Sequence, residues 1–169
     1  MELRGRRVVL RPTTDVDAPA LAAILATPEV ARWWPAFDLA RVEAELTGHD
    51  EDVDVYAILL DGRIIGAIQT HEERDLEFRH AGIDLFLDPA HHGEGLGPDA
   101  IRTLARFLIE ERGHHRLTID PAAANEQAIR AYQKVGFRNV GVLRRHQHFP
   151  DGTWQDGLLM DLLAEELRD

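Results

Sequence analysis

A mixed α/β (α+β) domain, in which helices cover a central sheet, is the fold class that the sequence predicts. The chain has 169 residues, enough for one domain with a sizeable core. Hydrophobic residues make up 44% of it and charged residues 29%, which is typical of a globular protein. Segments with the period of a strand and segments with the period of a helix alternate along the chain, without a linker or an internal repeat. We therefore expect residues 1–169 to form a single domain.

The N-terminal half is predicted to contain a first strand, three helices and a set of three strands. Pro12 ends the apolar first strand, and Thr13 or Thr14 can cap the helix that follows. The Asp61-Gly62 pair between two apolar runs is a strong hairpin signal. The predicted elements are a strand over 7–11, a helix to about residue 26, a short helix after Pro28 that carries Trp33 and Trp34, a helix over 39–46, and strands over 55–60, 64–69 and 81–87.

The C-terminal half is predicted to contain two helices and three strands. Pro98 and Asp99 open a long amphipathic helix, which ends at Gly113. Asn125 caps a second helix, which closes at Gly136. The remaining predicted elements are a strand over 116–120 and two last strands over 140–146 and 154–162, joined by a turn at Asp151-Gly152.

Composition excludes several classes of function. The formal net charge of −11 makes nucleic-acid binding a poor fit, because that binding depends on neutralising phosphates, and it suits a cationic small molecule better. The chain has no cysteine, which excludes disulfides, thiolate metal sites and a cysteine nucleophile and is compatible with the cytoplasm. No apolar run approaches the ~20 residues that span a bilayer. Among the nine histidines, no pair has a clear third ligand, so we predict no metal site.

A strand followed by a glycine-rich loop and a helix is the most informative segment, over 83–98. Gly93, Gly95 and Gly97 alternate in it, and glycines let the backbone adopt positive φ and approach a ligand closely. Free N–H groups at the start of a helix form an anion site, for which a diphosphate is the natural occupant. Tight turns between a strand and a helix also use glycine, so the loop alone leaves both interpretations open.

Two motifs resemble those of the GCN5-related N-acetyltransferases. His92-Gly93-Glu94-Gly95-Leu96-Gly97 resembles the acyl-CoA loop of that family, Gln/Arg-x-x-Gly-x-Gly/Ala. Residues 125–137 match its Asn-x-x-Ala-x-x-x-Tyr-x-Lys-x-Gly-Phe helix. Both motifs occur in the order of the family, and the resemblance covers essentially the whole chain. It implies the GNAT fold, a mixed and mostly antiparallel sheet of about seven strands, with acyl-CoA held between a splayed pair of strands.

The resemblance also implies which residues bind acetyl-CoA, the acyl donor. The strand that ends at Phe86 and Leu87 would pair with the pantetheine amides, and Asn125 would contact the pantetheine arm. Tyr132 would reach the thioester sulfur. The sequence departs from the family pattern at His92, where Gln or Arg is usual, and at Glu94, where a basic residue is frequent. The negative charge of Glu94 would weaken the attraction of phosphate, and the cations that compensate for it would come from His91, Arg102, Arg130 and Lys134. The predicted cofactor-binding residues are Phe86, Leu87, His92, Gly93, Glu94, Gly95, Leu96, Gly97, Asn125 and Tyr132.

Asp84 and Tyr132 are the predicted catalytic residues. Acyl transfer from a thioester needs a group that takes a proton from the amine and a group that protonates the departing thiolate. Asp84 is a carboxylate among apolar neighbours. It therefore either has a partner that gives it a structural role, or its pKa is raised so that it can act as a base. Tyr132 fits the role of the acid, although its position on an amphipathic helix also fits a core aromatic residue.

Residues outside these motifs resemble the aminoglycoside 6′-N-acetyltransferases. Gly82-Ile83-Asp84 matches a Gly-Ile-Asp in that group whose Asp is the base, and Asp120-Pro121 matches an Asp-Pro that binds antibiotic amines. A polyamine sugar needs several carboxylates and an aromatic wall. The resemblance therefore implies acetylation of a 6′-amine and antibiotic resistance. The predicted substrate-binding residues are Trp34, Glu51, Gln69, Asp84 and Asp120, and we expect a monomer or a homodimer.

Two alternatives stay open at this point. Residues 3–12 and 151–156 also resemble the ribosomal-protein N-terminal acetyltransferases, which acetylate a peptide α-amine and whose relatives acetylate spermidine. A non-catalytic acyl-CoA-binding module would keep the glycine loop and lose the base and the acid. The presence of both Asp84 and Tyr132 argues against such a module.

Overall fold

The chain forms one sheet of eight strands, with helices on both faces. The structure is a computed structural model that describes all 169 residues. Short 3₁₀ turns occur at 15–17, 89–91 and 164–166. No helix in the chain combines the length and the apolar character that crossing a bilayer requires. The strands are β1 (Leu3–Arg4), β2 (Val9–Pro12), β3 (Val53–Leu60), β4 (Arg63–Glu73), β5 (His80–Leu87), β6 (Arg116–Ile119), β7 (Arg138–His148) and β8 (Trp154–Leu163), and the helices are α1 (Ala18–Leu25), α2 (Pro28–Ala31), α3 (Leu39–Glu45), α4 (Leu96–Glu110) and α5 (Glu126–Val135).

The strands lie in the order β1-β2-β3-β4-β5-β6-β8-β7. Every neighbouring pair is antiparallel except β5 and β6, which are parallel and are connected through α4. The predicted mixed and mostly antiparallel sheet is therefore confirmed. It has one strand more than the predicted seven or so, because Leu3 and Arg4 pair with Val9 and Leu10 to add a short edge strand.

Each face of the sheet has its own apolar core. The larger core lies between α4 and the sheet and contains Leu104 and Leu108 of the helix together with Ile58 and Ile68 of the strands. Tyr132 of α5 packs against its margin. The smaller core lies on the opposite face, where α1 and α3 cover Ala67 of β4 and Phe86 of β5; its buried residues are Ala18, Leu21, Ile24, Leu25, Val30, Val42, Leu46, Ala67 and Phe86.

Several element boundaries differ from the prediction. The helix α4 begins at Leu96 rather than at Pro98, because Gly95 adopts a left-handed conformation (φ 76°) that supplies the N-cap position. The helix α2 ends at Ala31, so Trp33 and Trp34 lie in the turn after it. At their C-terminal ends, β4 continues to Glu73 and β7 to His148, beyond the predicted limits, because each pairs with a neighbouring strand over that length.

The parallel strands β5 and β6 separate soon after they begin. They pair only at Ala81 with Leu117 and at Gly82 with Thr118, whereas β4 and β5 pair over eight positions. Asp88 N–H donates to Ile65 O on the β4 side (2.7 Å). Because backbone groups alternate between the two edges of a strand, the N–H and the C=O of Leu87 face the other edge, toward the gap.

The carboxylate of Asp99 joins the start of the chain to the first turn of α4. It accepts hydrogen bonds from the backbone N–H groups of Arg6 (3.0 Å), Arg7 (2.9 Å) and Val8 (3.0 Å). Asp99 is buried, with 7% of its surface exposed, so these amides would lack a partner without it. The side chain of Arg7 also donates to Glu94 O (2.8 Å), which links the same segment to the glycine loop.

Replacing Asp99→Ala should lower the free energy of unfolding by about 2–4 kcal/mol, because it removes bonds to a charged acceptor and leaves a buried donor unpaired. Chemical denaturation followed by circular dichroism measures the change. The matched control is Asp15→Ala, an exposed aspartate whose carboxylate accepts no hydrogen bond. Equal unfolding midpoints for the two variants would show that the Asp99 carboxylate does not hold this segment.

Candidate active site

A cavity of about 1060 Å³ opens where β5 and β6 separate. Its lining comes from β5, the glycine loop, α5 and the turn after α2, which are distant in sequence. Thirteen of the predicted site residues line this one cavity. They are Trp34, Gln69, Asp84, Phe86, Leu87, His92, Gly93, Gly95, Leu96, Gly97, Asp120, Asn125 and Tyr132.

Two predicted residues, Glu51 and Glu94, do not line the cavity. Glu51 lies in an exposed bend before β3, where its carbonyl accepts a hydrogen bond from the side chain of Arg74 (2.8 Å). Glu94 lies in the glycine loop, but its carboxylate turns toward Nδ1 of His91 (3.4 Å). The Glu51 carboxylate is therefore away from the cavity lining, whereas Glu94 is in the loop beside the cavity without its side chain lining it.

The backbone of the glycine loop leaves a row of amides without a protein acceptor. Gly93 (φ 77°) and Gly95 (φ 76°) both adopt the left-handed backbone conformation, which is strained for most residues that carry a side chain. None of the N–H groups from Gly93 to Gly97 donates to a backbone or side-chain atom of the chain. These amides lie at the N-terminus of the fifteen-residue α4, where the helix dipole favours negative charge. The loop thus has the free amides and the dipole that an anion site needs.

Basic side chains line this end of the cavity. They are His91, His92, Arg130 and Lys134, and three of them, His91, Arg130 and Lys134, belong to the four residues that the sequence suggested as compensating cations. Arg102, the fourth, does not line the cavity, and its guanidinium donates to Arg168 O (2.8 Å) and to Lys134 O (3.4 Å). Nε2 of His92 lies 2.9 Å from Leu87 O, which ties the loop to the end of β5.

Asp84 lies on β5 at the floor of the cavity, directly across from Gln69 on β4. Burial and, to a smaller extent, the nearby charge of Asp120 raise the pKa of Asp84, a hydrogen bond from Gln69 opposes them, and the net result is a pKa of about 7. The carboxyl group therefore changes its protonation state near neutral pH, as a general base needs to do.

Tyr132 faces the same carboxylates from α5. Burial raises the pKa of its phenol above the ordinary value of 10, and the charges of Asp84 and Asp120 add to this effect. The phenol therefore stays protonated near neutral pH and can donate a proton or a hydrogen bond. About two turns before it, Asn125 caps α5 by accepting from Ala128 N (3.2 Å), which confirms the predicted cap and leaves the Asn125 amide NH₂ without a partner in the chain.

An aromatic and acidic wall completes the other end of the cavity. The ring of Trp34 packs edge-on against Phe86, with centroids 5.1 Å apart. Asp120 follows β6 and so lies at the same end of the parallel strand pair as Asp84. Two further residues, which no sequence motif predicted as site residues, also line the cavity here: Glu29, and His146, whose Nε2 lies 2.9 Å from Asp120 Oδ2. Neither belongs to a motif, so only the fold reveals them.

Comparisons with known proteins agree with this geometry. Residues 7–138 match the family of acetyltransferase (GNAT) domains. The chain is 30% identical over 164 residues to the aminoglycoside N(6′)-acetyltransferase type 1 of Klebsiella pneumoniae, a match that covers 86% of this chain and 79% of that protein. The structure of AAC(6′)-Ib in complex with paromomycin and acetyl-CoA is similar with a TM-score of 0.79, at 27% identity and 95% coverage of each chain. Its complex with coenzyme A and kanamycin gives a TM-score of 0.78, at 28% identity and 94% and 96% coverage.

The carboxyl carbon of Asp84 should titrate with a pKa of about 7 in an NMR experiment between pH 5 and pH 9. Asp120→Asn should lower that pKa, because it removes a neighbouring negative charge, and Gln69→Leu should raise it, because it removes the opposing hydrogen bond. A titration midpoint near the ordinary value of 3.8, unchanged in both variants, would contradict this description of the site.

The same shift links Asp84 to stability. A raised pKa in the folded state favours folding while the group is protonated, and that contribution is lost as the pH rises from 3.8 through about 7. The free energy of unfolding of Asp84→Asn, relative to the unmodified protein, should therefore increase over that range. Denaturation curves at pH 5 and pH 8 measure the difference, and no change between them would contradict the shift.

Proposed function

Because the chain belongs to the acetyltransferase (GNAT) family, and is an acetyl-CoA-dependent N-acetyltransferase, we propose that its acceptor is an aminoglycoside, which it acetylates on the 6′-amine. The observation that carries the proposal is the pair of carboxylates, Asp84 and Asp120, at the end of the cavity beside the Trp34 wall. An aminoglycoside has several ammonium groups on a bulky sugar framework, so it fits an acidic pocket with an aromatic side. Acetylation of that amine would confer resistance to the antibiotic.

The opposite end of the cavity suits the acyl donor. The unpaired amides from Gly93 to Gly97 would hold the diphosphate of acetyl-CoA, and His91, His92, Arg130 and Lys134 would add positive charge. The Leu87 backbone groups would meet the pantetheine arm along the open edge of β5, with Asn125 on the other side. Acetyl-CoA supplies an activated acetyl group in the form of a thioester.

The residues between the two ends would carry out proton transfer in a ternary complex. Asp84, whose pKa lies near 7, takes a proton from the acceptor ammonium, directly or through water, and leaves a nucleophilic amine. The N–H of Leu87 faces the gap and donates to the thioester carbonyl oxygen as negative charge develops there. The protonated phenol of Tyr132 supplies a proton to the departing sulfur.

Purified protein should release free thiol from acetyl-CoA in the presence of kanamycin or tobramycin, and mass spectrometry should find one added acetyl group on the 6′-amine. The panel includes spermidine and a peptide with a free α-amine, which are the acceptors of the two alternative enzyme classes. Efficient transfer to the peptide or to spermidine, with none to an aminoglycoside, would overturn the proposed acceptor. Tight binding of CoA without transfer to any amine would favour a binding module.

Asp84→Asn should lower kcat by about 10²- to 10⁴-fold, because the amine loses its general base, while the affinity for CoA is retained. Tyr132→Phe should lower kcat by about 10²-fold, at the low end of that range, because a thiol with a pKa of ~8.5 leaves readily. Asp61→Asn in the β3–β4 turn is the control, since Asp61 is exposed and remote from the cavity. Full activity of Asp84→Asn would remove this residue from the role of base.

A further inference from the structure

The side chain of Asp120 has one partner in the protein, the imidazole of His146. Nε2 of His146 lies 2.9 Å from Oδ2 of Asp120 at the mouth of the cavity. The second oxygen, Oδ1, accepts no hydrogen bond from any residue. A carboxylate held through one oxygen has its orientation restricted, and its free oxygen remains available for another donor.

The backbone next to Asp120 is fixed on β8. Ala123 N–H donates to Asp156 O (2.8 Å), and Leu158 N–H donates to Pro121 O (2.8 Å). Ala122 forms a bridge with Gly157 between these two bonds. The segment after β6 is therefore bound to β8 at residues 156–158, so the position of the Asp120 backbone is set by β8.

The same residues of β8 also determine where His146 lies. The register of β7 against β8 is broken between Leu143 and Gln147, and Arg145 inside this break is left-handed (φ 49°). A non-glycine residue in that conformation costs free energy and persists only where its surroundings hold it. Asp156 stabilises this conformation, because its carboxylate accepts a hydrogen bond from the Arg145 N–H (2.7 Å).

Gly157 leaves the space that the imidazole occupies. A Cβ atom at this position would come within 3.0 Å of Cδ2 of His146. The imidazole of His146 thus reaches the carboxylate of Asp120 through three features that act together. They are the irregular register of β7, the hydrogen bond from Arg145 N–H to Asp156, and the lack of a side chain at Gly157. No contact in the hydrophobic cores requires this arrangement, since β7 is exposed along almost its whole length.

We infer that His146 is a positioning residue for the acceptor: it holds Asp120 through Oδ2 so that Oδ1 receives an ammonium group of the amine. The inference rests on the proposed function, because it assigns His146 to the acceptor side of that site. The one hydrogen bond of the His146 side chain goes to Asp120 and none goes to the glycine loop, so we expect the acyl-donor side not to depend on it. The loss of His146 therefore weakens binding of the acceptor and leaves the thioester end of the site intact.

The test compares steady-state kinetics of His146→Ala and His146→Gln with the unmodified enzyme, using whichever amine of the panel is the best acceptor. His146→Ala should raise KM for the acceptor by roughly threefold, the size expected for a pair exposed in part, with little change in kcat or in KM for acetyl-CoA. His146→Gln should restore most of the loss, because its amide N–H₂ reaches the place of Nε2. Arg144→Ala, an exposed neighbour in the same irregular segment, controls for disturbance of β7.

A double-mutant cycle separates positioning from a structural role. Asp120→Asn should itself raise the acceptor KM by about tenfold, because it removes a charged acceptor. Adding His146→Ala to that background should raise it no further, since the two residues act as one unit. An equal rise in both backgrounds, or no rescue by His146→Gln, would overturn the inference while the acetyltransferase activity stands. An unmodified enzyme without activity toward any amine would overturn both the proposed function and this inference.

Discussion

The separation of β5 from β6 is the constraint on which the rest of the site depends. A parallel pair normally continues for the length of its strands, because each unpaired backbone group loses a hydrogen bond. Here pairing stops after Gly82, which leaves the rest of this edge of β5 without a strand partner. The gap also brings Tyr132 of α5 within the electrostatic reach of Asp84 on β5. Without the gap, the sheet would be complete and the cavity absent.

The two ends of the cavity differ in their chemistry. One end has free amides, a helix dipole and basic side chains, and the other has the carboxylates of Asp84, Asp120 and Glu29 beside an aromatic wall, on which Arg32 and Arg41 also lie. This division exists in a chain with a net charge of −11, so the positive end is a local feature rather than an average property. Arg7 stabilises the glycine loop at this end, because its side chain donates a hydrogen bond to the backbone carbonyl of Glu94 and not to the Glu94 carboxylate.

Local rules explain what the sequence could predict. The glycine loop, the Asn125 cap and the Asp61-Gly62 hairpin each depend on a few adjacent residues, and the structure has all three. The contacts that the sequence could not predict join distant segments: Asp99 with residues 6–8, and His146 with Asp120. Glu51, a substrate-binding residue implied by the resemblance, lies in an exposed bend outside the cavity lining, because the conformation of such a bend depends on contacts that the motif does not contain. Pattern thus identifies elements and motifs, while register and the direction of a side chain depend on tertiary packing.

The link between Asp99 and the first residues of the chain has a consequence for the order in which the molecule assembles. The bonds of Asp99 span more than ninety positions, and Arg7 reaches the glycine loop across a similar distance. A loop that is braced by residues near the start of the chain acquires its final shape late, because long-range closure is slow compared with helix formation. The glycine loop is therefore not a self-sufficient unit: α4 and its loop, transplanted to another scaffold without residues 6–8, would lack the support that fixes their geometry.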